Sequence, residues 1–348
     1  MFLTRRALLA TGAAGGLLGA AGRARAQGIT QLTVADVGAA PSVAIRRAFY
    51  DPFEKETGIR VISVPHAADP VTQFKLMVDA RSYIWDACML NSEHIARLNR
   101  EGRYFEPLHI TPAETADFIP GMTSDIWMGF SVYAIMMAWQ NARFPHGGPR
   151  NWTDFWDVRR FPGRRGLCRA PAATLELALL ADGVAPQALY PLDVERAFAS
   201  LARLRDNVDI WWTSGAQNTL LLESDELDLS DTWSARAQMA RRSGAAITLV
   251  WNGLYAADGW AIPAGCPRAD IARAFVRYCM RPDRQAEYAV HSTNGPTNRR
   301  AFDYLSPAEA AFLPTSPANF SNLSAFNAQW WGENSRSIAE RFEEFLLE

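Results

Sequence analysis

Short apolar runs alternate with longer amphipathic ones along most of the chain, and that alternation predicts the fold. Gln31–Gly38 (QLTVADVG) reads as a strand, and Ser42–Gly58 as a helix with Ser42 as its cap and Gly58 as its stop. IRVISVPH is the next strand, Asp69–Ala80 a helix, WDACML a strand, and Ser92–Gly102 a helix capped by Ser92. Strand and helix in alternation imply a parallel sheet with helices on both faces. Ser131–Asn141 (SVYAIMMAWQN) then forms a long apolar strand, and Asn151–Ala170 opens a second α/β unit. That unit continues through helices over Thr174–Gly183 and Asp193–Asn207 to a strand at Val208–Trp212. Asp225–Trp233 leads back to Ala245–Pro263, and two helices follow, broken at Pro282. One α/β unit is thus interrupted by another, with extended segments crossing near Ser131–Asn141 and Ile247–Trp260. The expected architecture is two α/β lobes joined by a two-strand hinge, with a ligand cleft between them. The expected boundaries are 27–138 with 254–305 for lobe 1 and 139–253 for lobe 2. Residues 306–348 are expected to be C-terminal helices packing on the lobes.

The second crossing carries an unusual cluster. Val250–Trp260 (VWNGLYAADGW) sets Trp251, Tyr255 and Trp260 around a lone carboxylate, Asp258. Rings about a single acid suit an organic cation, because the ring faces attract the charge and the carboxylate binds it. The competing reading makes the rings core residues and Asp258 the start of a turn at Gly259.

The N-terminal segment narrows the function. Thr4-Arg5-Arg6-Ala7-Leu8-Leu9 is a twin-arginine pattern, followed by an uncharged apolar stretch to Gly22 and the small-x-small site Ala24-Arg25-Ala26. Residues 1–26 are therefore expected to be an export signal of twin-arginine type, with a general secretory signal as the alternative. Ala7–Gly22 is too short and too weakly apolar to span a membrane. The expected product is a free periplasmic protein with no membrane insertion. Removing Arg5, Arg6, Arg23 and Arg25 from the 35 basic residues leaves 31 against 37 acidic, a formal −6. That balance argues against nucleic acid and anionic membrane surfaces as partners. The four cysteines show neither CxxC nor metal spacing, and the five histidines are scattered, so neither metal nor cofactor is expected.

Six segments, in order and spacing, carry a family resemblance: FYDPFEKETGIRV (Phe49–Val61), WDACMLNSEHIARLNREGRYFEPL (Trp85–Leu108), NWTDFWDVRRFPGRRGL (Asn151–Leu167), WWTSGAQ (Trp211–Gln217), TLVWNGLYAADGWAIP (Thr248–Pro263) and NGPTN (Asn294–Asn298). The chain resembles the periplasmic solute-binding proteins of ABC importers, type II fold, in the spermidine/putrescine-binding branch. The resemblance implies a receptor that closes on a small amine and presents it to a membrane permease. It further implies an aromatic ring at Trp233, the amine-binding carboxylate at Asp258, and polar contacts from Asn91 and Ser92. The polyamine binders carry acids just ahead of the helix that matches Thr174–Gly183. Here that stretch reads CRAPAATLE, with Arg169, Ala170 and Ala173 in their place and Glu176 further on.

Arg236, three residues after Trp233, adds a group that grips carboxylates. Asp258 and Arg236 together suit a zwitterion, and relatives in this branch bind γ-aminobutyrate. The competing reading pairs Arg236 with Asp231 or another acid as a surface salt bridge. Trp212 and Ser214 in WWTSGAQ, with Tyr255, complete the candidate set. The reading is a monomeric, non-catalytic binding protein for a γ-aminobutyrate-like ω-amino acid that delivers it to ABC permease subunits. Linear polyamines are the alternative ligand. A periplasmic hydrolase is the rival class, without a Gly-x-Ser-x-Gly elbow, a phosphate-binding loop or a metal cluster in the sequence to support it.

Overall fold

The β-branched and aromatic runs form strands that line up in one mixed sheet. The computed structural model describes residues 31–67 and 69–347. The expected export signal, residues 1–26, lies outside the described residues. The strands are β1 (Gln31–Asp36), β2 (Arg60–Pro65), β3 (Ala87–Asn91), β4 (Met128–Gln140), β5 (Arg165–Cys168), β6 (Val208–Trp212), β7 (Leu229–Trp233) and β8 (Ile247–Ala261), with short β9 (Gly295–Pro296) and β10 (Leu323–Ala325). Their order is β2-β1-β3-β8-β4-β7-β5-β6, with β10 beside β8 and β9 beside β4. β1 runs parallel to β2 and β3, and β5 runs parallel to β6 and β7. Between these parallel groups lie β4 and β8, antiparallel to each other.

The two long strands therefore belong to both groups. β8 pairs with β3 from Asp258 to Ala261, and β4 pairs with β7 from Ile135 to Trp139. Hydrophobic burial follows the same division. One core gathers Leu32, Phe49, Phe130, Trp260 and Phe275, and an adjoining one Phe74, Leu90 and Trp127. At the other end of the long strands a separate core gathers Trp139, Phe155, Leu175, Leu179, Phe198 and Leu204. The long helix Ala328–Leu347 closes that core with Trp331, Phe342 and Phe345.

Midway along β8 the ladder breaks. Ile135 faces Leu254 and Met137 faces Val250, so Trp251, Asn252 and Gly253 lie opposite Met136 alone. Gly253 has φ 149°, and a Cβ there would stand 2.2 Å from the Ile135 carbonyl oxygen, so the bend requires glycine.

Local details differ from the sequence reading where two residues compete for one role. Asn91, rather than Ser92, caps the helix Ser92–Glu101, accepting from the His94 amide at 2.8 Å. Ser42 lies inside its helix, which begins at Ala39, and its hydroxyl donates to buried Asp36 at 3.0 Å. Gly58, the expected stop, is left-handed with φ 73°. The segment after residue 306 supplies β10 as well as helices.

Candidate ligand cleft

Strand direction places the chemistry. β3 approaches the middle of β8 with its C-terminal end, and β7 approaches the middle of β4 with its own. Both parallel groups thus bring their strand ends, and the helix N-termini that follow, to the long strands β4 and β8. Such ends are where open α/β sheets hold ligands.

Register then sorts the side chains by face. Asn91, Asp258 and Ser131 are direct neighbours across β3, β8 and β4, and Trp233, Ile135 and Leu254 are direct neighbours across β7, β4 and β8. Side chains alternate along a strand, so Asp258, Ala256 and Leu254 share one face with Ser131, Tyr133 and Ile135. Trp233 joins that face through Ile135. Tyr255 lies on the other face, where its ring meets Phe320 at 4.7 Å. Trp260 shares the face of Asp258 but is fully buried, stacked on Phe130 at 4.9 Å. The eleven-residue cluster read as a cation box is therefore divided, with Asp258 on one face, Tyr255 on the other and Trp260 in the core.

Asp258 is half-buried, and no side chain or backbone group among the described residues bonds its carboxylate. Burial raises its pKa to about 7. Two further residues were missed by the sequence reading, Tyr133 on the face of Asp258 and Glu93 in the helix that follows β3. Tyr133 has no hydrogen-bond partner among the described residues, and burial together with the charges of Asp258 and Glu93 holds its phenol protonated. Glu93, in the first turn of the helix after β3, is half-buried and without a bonded partner among the described residues. Burial raises its pKa, with Arg97 acting the other way. The signal for both was slight: a tyrosine two residues from Ser131 in an apolar strand, and an acid beside Asn91 and Ser92.

Across the gap, Trp233 and Arg236 lie over Gly215, where a Cβ would stand 2.9 Å from the indole and 2.6 Å from the Arg236 Nε. Arg236 is half-buried and makes no ion pair among the described residues. Its expected competitor, Asp231, is buried and accepts from the Trp212 indole at 2.7 Å instead. Trp212 is itself 1% exposed and meets Trp233 edge-on at 5.4 Å, so it backs that half-buried ring. Ser214 is exposed and caps the helix Gly215–Glu223, its hydroxyl accepting from the Gln217 amide at 3.2 Å. Asn91 is held by its capping bond, and Ser92 beside it is half-buried. Two concavities, of 530 and 460 Å³, lie away from these groups. Among the described residues, no three His, Cys, Asp or Glu side chains gather as metal ligands, and no helix is long and apolar enough to cross a membrane.

Residues 48–345 match the family of bacterial extracellular solute-binding proteins. The chain belongs to that family. Its sequence is 34% identical over 336 residues to the gamma-aminobutyric acid-binding protein of Pseudomonas aeruginosa PAO1, covering 94% of each. It is 25% identical to the spermidine/putrescine-binding periplasmic protein of Escherichia coli K12, covering 74% of this chain and 76% of that protein. The crystal structure of an ABC transporter substrate-binding protein from Bradyrhizobium japonicum USDA 110 superposes with a TM-score of 0.84 at 32% identity, covering 91% of this chain and 99% of that one. The fold is that of the type II periplasmic binding proteins, as the resemblance implied.

In this solute-binding protein the stretch without the polyamine binders' acids is committed to packing. Arg169 pairs with Glu343 of the last helix at 2.6 Å. Glu176 is buried and accepts from the Trp331 indole at 2.6 Å and the Tyr190 hydroxyl at 2.5 Å. Neither residue is available to a ligand in this arrangement.

Proposed function

We propose that the protein is the periplasmic capture component of an ABC importer and binds a γ-aminobutyrate-like ω-amino acid between its two lobes. Asp258 takes the ammonium through a charge-assisted hydrogen bond, and Arg236 takes the carboxylate. The observation that carries the reading is that these opposite charges, Asp258 on β8 opposite the end of β3 and Arg236 in the helix after β7, are both uncommitted among the described residues. Trp233 walls the alkyl chain, with Trp212 behind it, and Tyr133 lies on the same face as Asp258. The N-termini of the helices opening at Gly215 and Ser234 favour the anionic end on the Arg236 side. Lobe 1 comprises 27–138 and 254–305, and lobe 2 comprises 139–253. Closure about β4 and β8 removes the ligand from water and creates the form that the permease subunits recognise. The protein acts as a monomer, without catalysis, and reaches the periplasm by a twin-arginine signal.

Thermal unfolding of residues 27–348 tests the assignment. A ligand at 100 times its Kd adds about 2.7 kcal/mol, a rise of about 5 °C for a chain of this size. γ-Aminobutyrate should give that rise. Asp258→Ala should abolish it for every amine, and Arg236→Ala should abolish it for ω-amino acids only. An unchanged rise in Asp258→Ala would sink the site assignment.

A further inference from the structure

The helix Ser234–Arg242 carries Arg236 on one face and a set of long-range contacts on the other. At ~100° per residue, Arg236 stands about 200° from Gln238, about 140° from Arg241 and about 240° from Arg242 around the helix axis. Gln238, Arg241 and Arg242 therefore share the face opposite Arg236. There the Gln238 side-chain amide donates to the Phe312 carbonyl at 2.9 Å. The Arg241 guanidinium lies over the Phe312 ring at 4.4 Å, and Arg242 donates to the Val290 carbonyl at 3.2 Å.

These contacts cross from one parallel group to the other. The helix follows β7, and its first hydroxyl, Ser234, accepts from the Ala134 amide of β4 at 3.1 Å. That amide lies between the stretch of β4 paired with β9 and the stretch paired with β7, so the helix starts at the middle of the crossing. Val290 belongs to the helix Pro282–Ser292, which leads into β9. Phe312 is held on the same side, because Thr315 packs against Gly295 of β9 so closely that a Cβ there would overlap its hydroxyl. The contacts border a concavity of 460 Å³, with Gln238, Arg241 and Arg242 on one wall and Ala289, Val290 and Phe312 on the other. Phe312 is 42% exposed, Arg241 half-buried and Arg242 exposed. A polar interface around open volume separates far more easily than a close-packed core.

Resting on the two-lobe reading above, we propose that Gln238, Arg241 and Arg242 form a latch with Phe312 and Val290 that holds the ligand-free cleft open and lowers its affinity. Closure that brings Arg236 toward Asp258 moves the opposite face of the helix away from Phe312 and Val290. The latch is thus made in the open form and broken in the closed one. A ligand that selects the closed form binds more weakly by the free energy of the contacts it must break.

The test combines titration calorimetry and small-angle X-ray scattering on residues 27–348, using γ-aminobutyrate as the probe. Wild type is compared with the double variant Arg241→Ala, Arg242→Ala and with Phe312→Ala, which leaves the charge unaltered. The double variant should bind γ-aminobutyrate about three- to tenfold tighter, the size of one cation–π contact and one hydrogen bond. Phe312→Ala should gain in the same direction by a smaller factor. Ligand-free scattering of the double variant should shift toward the more compact ligand-bound profile of the wild type. Unchanged or weaker binding in the double variant, as a merely structural role would give, overturns the latch and leaves the ω-amino acid reading standing. A gain in the double variant without one in Phe312→Ala traces the effect to lost charge and overturns it equally. If γ-aminobutyrate does not bind the wild type, the ω-amino acid reading falls. The ligand-free profiles then decide alone, and a double variant no more compact than the wild type overturns the latch.

Discussion

Asp258, Asp231 and Glu176 are each raised by burial to a pKa of about 7. A carboxyl raised above its unfolded value of about 4 binds its proton more tightly when folded. Its contribution to stability is full below about pH 4 and is lost as pH rises through about 7. The acids held low, such as Asp182, Asp228 and Asp283, act in the opposite sense and below that window. The ligand-free protein should therefore melt several degrees lower at pH 8 than at pH 5.5, with a smaller difference in Asp258→Asn. A flat profile between those limits would contradict the environments described. Amine affinity should move the other way, rising with pH as Asp258 ionises. At this scale the sequence singled out Asp258, Trp233 and Arg236 by type and by the family match, and among the described residues Asp258 and Arg236 have no bonded side-chain partner. Glu93 did not stand out, because an acid in a first helical turn is already favoured by the helix dipole. Tyr133 was hidden inside an apolar run where a ring reads as core. Tyr255 was grouped with Asp258 by proximity, although positions three apart on a strand face opposite ways.

The crossing strands depend on one glycine. With φ 149° and the Ile135 carbonyl so close, Gly253 has no room for a side chain. Gly253→Ala should cost about 2 kcal/mol, read as a lowered midpoint in urea unfolding with unchanged slope. Loss of less than about 0.5 kcal/mol would mean that the break in the ladder tolerates another conformation. The elements themselves were readable because each matches its own period. β4 is a nearly continuous apolar run buried on both faces, and the helix Val194–Arg205 between it and β8 carries an apolar stripe. The break was not readable, since Trp251-Asn252-Gly253 also fits an ordinary strand until its partner is known. β10 was missed for a similar reason. Three residues are too short a run to read as a strand until their pairing with Gly253–Tyr255 of β8 is known.

The whole molecule is tied together by its last helix. Ala328–Leu347 covers one core with Trp331, Phe342 and Phe345, bonds Glu176 and Arg169, and lays Gly332 against Ala96 and Arg97 of the other group. Two lobes were foreseeable from the doubled α/β pattern. C-terminal helices packing on the lobes were expected as well, but the residues they meet were not legible, because partners such as Glu176 and Glu195 lie more than a hundred residues upstream. A chain truncated after Asn327 should bind a hydrophobic dye strongly and show no ligand-induced stabilisation. A truncated chain that melts cooperatively near the full-length temperature would rule this out. The same helix also sets an order of events during synthesis. Every residue it covers leaves the ribosome before it does, so Phe198 and Trp211 wait uncovered until this helix emerges. The nascent protein must be shielded from aggregation until then, and any machinery that accepts only finished molecules could use the docking of this helix as its sign of completion.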